Sequence, residues 1–126
     1  MSRSLPRLKR RQDFLRVAKL GRKWAVPGVM LQCAPRPADV PPGNCPRVGF
    51  TASRKVGGAV QRNRARRRLR AAAQAVLPEQ ARLDRDFVLI ARAGTAARPF
   101  SALLQDLQTA IGKVGGRLDG ETGAAS

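Results

Sequence analysis

The chain has 126 residues, enough for one domain with a modest core. It carries 25 Lys and Arg against 8 Asp and Glu, a formal net charge of +17, and 20 of the 25 basic residues are arginine, a balance that points to a polyanionic, phosphate-bearing partner. The absence of histidine removes every His-dependent triad, dyad and proton shuttle, and no apolar run approaches the length of a membrane-spanning helix.

Residues 1–7 are polar and are expected to fray. No apolar core or cleavage site follows the basic start, so no signal peptide is expected and the cytoplasm is the expected compartment. Residues 8–20 read as a basic helix with Leu8, Phe14, Leu15, Val17 and Ala18 as its apolar members and Gly21 as its C-cap. Phe14 is open to two readings, a core anchor or a stacking platform for a nucleotide. A short strand is expected over 22–26, carrying the only tryptophan, Trp24, and a second over 28–34. Five prolines make 35–46 an extended, irregular loop. Cys33 and Cys45 stand at its two ends and are read as free thiols; without histidine they leave a zinc site short of ligands. Residues 47–53 form a further strand, expected to run antiparallel to 28–34, with Val48, Phe50 and Ala52 on one face. Gly49, Thr51 and Ser53 make the other face, open enough for a ligand and equally an ordinary solvent face.

The most informative stretch follows. Gly57 and Gly58 leave the strand, and a helix is expected from about Ala59 to Leu77, with Pro78 as its stop. At roughly 100° per residue, Ala65, Leu69, Ala72, Ala73 and Val76 fall on one side and Asn63, Arg64, Arg67, Arg70 and Gln74 on the other. Arg62, Arg66 and Arg68 lie on the flanks. The small apolar stripe predicts a helix held close to a sheet. From Arg54 to Arg70 there are eight Lys or Arg and no acid. A merely solvated helix intersperses acids at i+4, so this face reads as a phosphate-binding surface in which guanidinium groups bond two oxygens at once.

Residues 79–86 are a polar connection. Asp84 and Asp86, the only close acidic pair, are expected to be solvated or capping. Residues 87–91 (FVLIA) form a continuous apolar run, as in a strand covered on both faces. After a loop at 92–98, residues 99–114 read as a helix with Phe100, Leu103, Leu104, Leu107 and Ile111 on its apolar side and Ser101 and Asp106 facing out. Residues 115–126, rich in glycine, are expected to be a disordered tail after a single domain at 1–114. The order gives an α+β fold, one sheet with helices packed on it.

The segment RVGFTASRKVGGAVQRNRARRRLR, residues 47–70, resembles the protein subunit of bacterial ribonuclease P. The triplet Arg62-Asn63-Arg64 with basic residues at 66, 67 and 70 is that family's signature, and RVGF-x-x-SRK-x-G-x-AV matches the strand and turn before it. RLKRRQDF in the first helix and DFVLIAR at 86–92 extend the resemblance in order over residues 7 to about 112. The resemblance implies an αβββαβα sandwich similar to the second domain of ribosomal protein S5, with a left-handed βαβ crossover, an exception to the usual right-handed rule. It implies a protein that helps a catalytic RNA remove the 5′ leader of precursor tRNA, as a monomer in a 1:1 complex with that RNA. The protein alone is expected to bind no cofactor, and Mg2+ is expected at the RNA active site.

By position, the resemblance implies that Arg62, Asn63, Arg64, Arg66, Arg67 and Arg70 face the RNA subunit. Arg54 and Lys55 are implied to meet phosphate, and Phe14, Gln32 and Phe50 to line the leader cleft. No catalytic or metal-binding residue is implied, in keeping with acids too scattered to hydrolyse a phosphodiester alone. Two places depart from the family pattern: Ala18 stands where a second aromatic is common one turn after Phe14, and Gln32 where an aromatic is common in the first main strand. Arg68 falls where an apolar residue is common. A structural RNA-binding protein of ribosomal or chaperone type would suit the same charge and fold, but not the ordered motif set. A DNA-binding regulator would need a preceding helix and tight turn, and a self-sufficient nuclease would need acid–base groups the chain lacks.

Overall fold

The structure, a computed structural model, describes residues 4–41 and 43–118. The elements follow the order α1 (Arg11–Leu20), β1 (Arg22–Val26), β2 (Val29–Pro35), β3 (Arg47–Thr51), α2 (Ala59–Gln80), β4 (Arg85–Ala91) and α3 (Phe100–Lys113), with a single 3-10 turn at Arg54–Val56. The strands make one mixed sheet in the order β1-β2-β4-β3. β1 and β2 form an antiparallel hairpin, β4 runs antiparallel to β2, and β3 runs parallel to β4. β3 therefore points against β2, as expected, but is not its neighbour. The apolar run of β4 takes the place between them, because only a central strand has both faces covered. Parallel neighbours need a crossover, and α2 supplies it.

Alternation along the strands sorts the side chains into two layers. Val29, Leu31, Cys33, Val48, Phe87, Leu89 and Ala91 join Ala65, Leu69, Ala72, Ala73 and Val76 of α2 and Leu103, Leu107 and Ile111 of α3 in the main core. The small stripe of α2 is fully covered, as its alanines predict. On the opposite face a smaller cluster of Leu8, Val17, Ala34 and Val88 lies under α1, with Phe14 and Ile90 at its edge. Of α1 itself, only Val17 is buried, so one face of the sheet is only partly roofed.

Several local expectations are corrected. Leu8 is not helical: Val48 N–H donates to Pro6 O (2.9 Å) and Leu8 N–H to Val48 O (2.8 Å), so the chain before α1 runs beside β3, pairing at Arg7. Its backbone thus pairs at a sheet edge instead of fraying; residues 1–3 lie outside the described residues. Gly21 does cap α1, its N–H donating to Val17 O at 2.8 Å, but it does so in an extended conformation (φ −83°, ψ 163°) and not the left-handed one. A Cβ there would stand 2.6 Å from Cys33 O, so close backbone approach explains the glycine. Pro78 does not stop α2, which runs to Gln80. The residues that follow are held by the C-terminal segment, where Leu118 N–H donates to Gln80 O (2.7 Å) and Arg82 N–H to Gly116 O (2.7 Å). Residues 115–118 are accordingly paired and not tail; the rest of the expected tail, 119–126, lies outside the described residues. Asp106 does not face out. It is buried, accepts Gly28 N–H at 2.9 Å, and takes both Arg98 Nε and Arg98 Nη2, locking the β1–β2 turn to α3.

Candidate nucleic-acid interface

The first surface is α2. Arginine and alanine are good helix formers, and the periodicity leaves Asn63, Arg64, Arg67 and Arg70 exposed, with Arg62, Arg66 and Arg68 half-buried on the flanks. No acid stands in the first turn of the helix, and among the described residues none of Arg62, Arg64, Arg67 and Arg70 has a carboxylate partner. Asn63 is already engaged: its Oδ1 accepts from Arg66 Nη2 at 2.6 Å, which fixes the guanidinium in place. Val60, Asn63, Arg66, Arg67 and Arg70 line a shallow groove of about 490 Å³. Val60 is 76% exposed, an apolar side chain set among cations that the sequence reading did not single out. Arg54 and Lys55 stand exposed on the turn before the helix, where Ser53 Oγ accepts Lys55 N–H at 3.3 Å.

Arg68 is different. Its Nε donates to Thr95 O at 3.3 Å and its Nη2 to Arg98 O, and its guanidinium lies 5.9 Å from the Phe100 ring centre. It ties α2 to the loop before α3, which accounts for a charge at a position facing the protein.

The second surface lies across the sheet. Because α1 covers only one end of that face, a cleft of about 440 Å³ opens between Arg11, Phe14, Leu15 and Ala18 of α1 and Gln32, Thr51, Val88 and Ile90 of the strands, with Phe50 at the rim. Phe14, Gln32 and Phe50 thus come together at one cleft. Phe14 settles neither reading alone: it is half-buried, and a Cβ on Gly49 would stand 2.6 Å from its ring, so the glycine makes the seat for it. Phe50 alternates toward the α2 core and touches the cleft from the strand edge, with Arg7 5.8 Å from its ring centre. Ala18 and Gln32, the two departures from the aromatic pattern, both line this cleft. Leu15, 56% exposed on its wall, was read as helix packing; no periodicity separates a helix face that meets a core from one that meets a cleft.

The cleft wall is fixed by a buried ion cluster. Asp86 is fully buried, neither solvated nor capping as the sequence suggested. Its carboxylate accepts Arg47 Nε (2.9 Å) and Nη2 (2.6 Å) from β3 and Arg16 Nη2 from α1. Arg36 Nε stands 3.9 Å away, while the rest of that guanidinium binds Pro41 O (3.0 Å) and Cys45 O (2.9 Å). One carboxylate therefore joins α1, β3 and, through Arg36, the Pro-rich loop. The hydrogen bond to Asp86 holds the Arg47 guanidinium above its ordinary pKa. Asp84, by contrast, is exposed and hydrogen-bonded by Arg82, which holds its carboxyl below the usual range.

Among the described residues no three His, Cys, Asp or Glu side chains are grouped to hold a metal ion, and no helix is long and apolar enough to cross a membrane. Cys33 and Cys45 are both buried free thiols, and burial pushes the Cys33 thiol up to about 12.

Comparison with known proteins places this geometry. Residues 3–115 match the family model described as Ribonuclease P. A ribonuclease P protein component from Paramagnetospirillum magneticum is 54% identical over 115 residues, which span 91% of this chain and 86% of the relative. One from Caulobacter vibrioides is 48% identical over 113 residues, 90% of this chain and 73% of the relative. The solved ribonuclease P protein of Staphylococcus aureus superposes with a TM-score of 0.69 at 25% identity, over 88% of this chain and 98% of its own. That of Thermotoga maritima, at 23% identity, shares the fold with a TM-score of 0.66, over 82% and 92% of the two chains.

Proposed function

This chain belongs to the ribonuclease P protein family, and from that premise we propose how its two surfaces divide the work of removing the 5′ leader from precursor tRNA. The protein is a subunit of a ribonucleoprotein endoribonuclease, with the ribonuclease P RNA and a tRNA precursor as its partners. The exposed face of α2 (Arg62, Asn63, Arg64, Arg66, Arg67 and Arg70) with Arg54 and Lys55 binds the RNA subunit, and the cleft of Phe14, Gln32 and Phe50 receives the leader. The observation that carries this reading is the uncompensated charge of α2: from Arg54 to Arg70 there are eight Lys or Arg and no acid, and among the described residues Arg62, Arg64, Arg67 and Arg70 have no carboxylate partner, whereas Arg16, Arg47 and Arg98 are bound to Asp86 or Asp106.

Chemistry belongs to the RNA in this reading, with Mg2+ held there. Its support is that both buried carboxylates, Asp86 and Asp106, are occupied by arginines, which leaves the protein to bind and orient. With Ala18 and Gln32 in the cleft, leader binding rests on the charge of the leader backbone, Arg11 and the aromatics Phe14 and Phe50, and is nearly blind to base sequence. The protein acts as a monomer, one per RNA, in the cytoplasm.

A reconstitution tests this. The protein, a bacterial ribonuclease P RNA and precursor tRNA are mixed at low magnesium, where the RNA alone is slow. Leader cleavage is expected only in the complete mixture. Binding without stimulated cleavage would favour a structural RNA-binding role, and cleavage by the protein alone would overturn the assignment of chemistry to the RNA.

A further inference from the structure

Phe100 opens α3 and is 40% exposed, although Leu103, Leu107 and Ile111 on that helix's apolar side are buried in the core and Leu104 is half-buried. It borders a second open cavity on the α2 side of the molecule, about 440 Å³, lined by Arg64, Arg67, Arg68, Ala71 and Phe100. The parts of this cavity differ in kind. Arg64 and Arg67 are exposed and without acidic partners among the described residues. Arg68 is half-buried and held by the carbonyls of Thr95 and Arg98, with its guanidinium over the Phe100 ring, 5.9 Å from the ring centre. Ala71, exposed but small, leaves the floor open.

An aromatic face beside two free guanidinium groups and one fixed one matches a single unstacked nucleotide: the base stacks on the ring, and its flanking phosphates meet the free cations. We propose that Phe100, Ala71, Arg64 and Arg67 form a binding site for one unpaired nucleotide of the RNA subunit. This rests on the reading that the α2 face binds that RNA. The source is the RNA subunit and not the leader because the site continues the α2 face, whereas the cleft lies on the other side of the sheet. The site gives the interface a shape-selective contact, where the remaining arginines contribute charge alone.

The test measures affinity for a bacterial ribonuclease P RNA, without precursor tRNA, across a salt series. Phe100→Leu keeps the apolar bulk and removes the stacking face; Ala71→Leu fills the cavity from a solvent-exposed position; Phe100→Tyr keeps the ring. The first two are expected to weaken binding about tenfold, the lower part of the range for one stacked base, without changing the salt slope, since no phosphate contact is lost. Phe100→Tyr is expected to bind like the unsubstituted protein. Footprinting of 2′-hydroxyls should show one unpaired nucleotide that loses protection in Phe100→Leu alone among the Phe100 variants. If Phe100→Leu and Ala71→Leu bind within twofold of the unsubstituted protein, the site does not exist. If Phe100→Leu fails to fold, Ala71→Leu and the footprint still decide. The titration is repeated with leader-bearing precursor tRNA added, and a loss seen only in its presence would overturn the assignment to the RNA subunit. Arg64→Ala with Arg67→Ala is the control: if it weakens RNA binding and the cavity variants do not, only this site fails, and if it leaves binding unchanged, the reading of the α2 face fails first.

Discussion

Arginine does two opposite jobs on the two sides of the sheet. Around Asp86, Arg16 and Arg47 converge on one buried carboxylate, and Arg36 beside it spends its remaining donors on loop carbonyls. On α2, Arg62, Arg64, Arg67 and Arg70 have no counter-charge among the described residues and lie at or near the surface. The side chain is the same, and its consequence is set by whether an acid is within reach. A compensated guanidinium fixes geometry, whereas an uncompensated one raises the local potential and waits for an external anion. Removing members of the first group should cost stability, and removing members of the second should cost binding.

The largest expected effect is on the compensated side. Asp86→Ala leaves several buried or half-buried guanidinium groups without their acid and should destabilise the fold by about 3–5 kcal/mol, read as a lower urea midpoint. A loss below about 1 kcal/mol would mean the cluster relaxes into water and does not hold α1. On the other side, Arg64→Ala with Arg67→Ala should leave the urea midpoint where it was. Each lost phosphate contact should lower the salt slope of RNA binding by about 0.7–0.9; an unchanged slope would put the interface on another face. Phe14→Ala should weaken binding of leader-bearing precursor about tenfold more than binding of mature tRNA, as for one lost stacking contact. Equal losses for both RNAs would make Phe14 a core residue only.

The effect that is smallest at neutral pH, where it vanishes, concerns Cys33, which lies in the core. Its thiol is raised by burial from 9.0 to about 12, against the opposing pull of Arg85 and Arg82. The folded state therefore keeps the proton that the unfolded chain releases. This contribution to stability is complete below about pH 9 and is lost as pH rises toward 12, by up to about 1.4 kcal/mol per pH unit. Cys33→Ala should flatten stability over that window, and in the folded protein Cys33 should resist alkylation at pH 8. Rapid labelling without unfolding would show that the thiol is not sheltered.

The basic surface was legible in the sequence because it is a property of one continuous segment. A period of 3.6 residues sorts Ala65, Leu69, Ala72, Ala73 and Val76 from Asn63, Arg64, Arg67 and Arg70 without reference to any other element, and the structure buries and exposes them accordingly. The cleft was legible only in part. The resemblance named Phe14, Gln32 and Phe50, but the assembled wall also takes Arg11, Leu15, Thr51, Val88 and Ile90, which three elements bring together. Asp86 was misread for the same reason. Its partners lie 39 and 70 residues away in the chain, beyond any local pattern, and its neighbour Asp84 does behave as the solvated acid expected of both. The local rule for proline makes Pro78 a stop, but α2 runs through it to Gln80, and the segment that follows pairs with residues 116–118.

The sequence by itself therefore determined what short-range physics can determine: the helix periods, the apolar strand at 87–91, the uncompensated charge from Arg54 to Arg70, and the lack of His-dependent acid–base groups. Tertiary structure alone decided which strand stands at the centre of the sheet, which arginines are neutralised and which remain free, and where α1 stops covering the sheet and leaves a cleft. These depend on contacts between residues far apart in the chain, whose energies arise only when burial brings charge and counter-charge, or ring and glycine, to the same place.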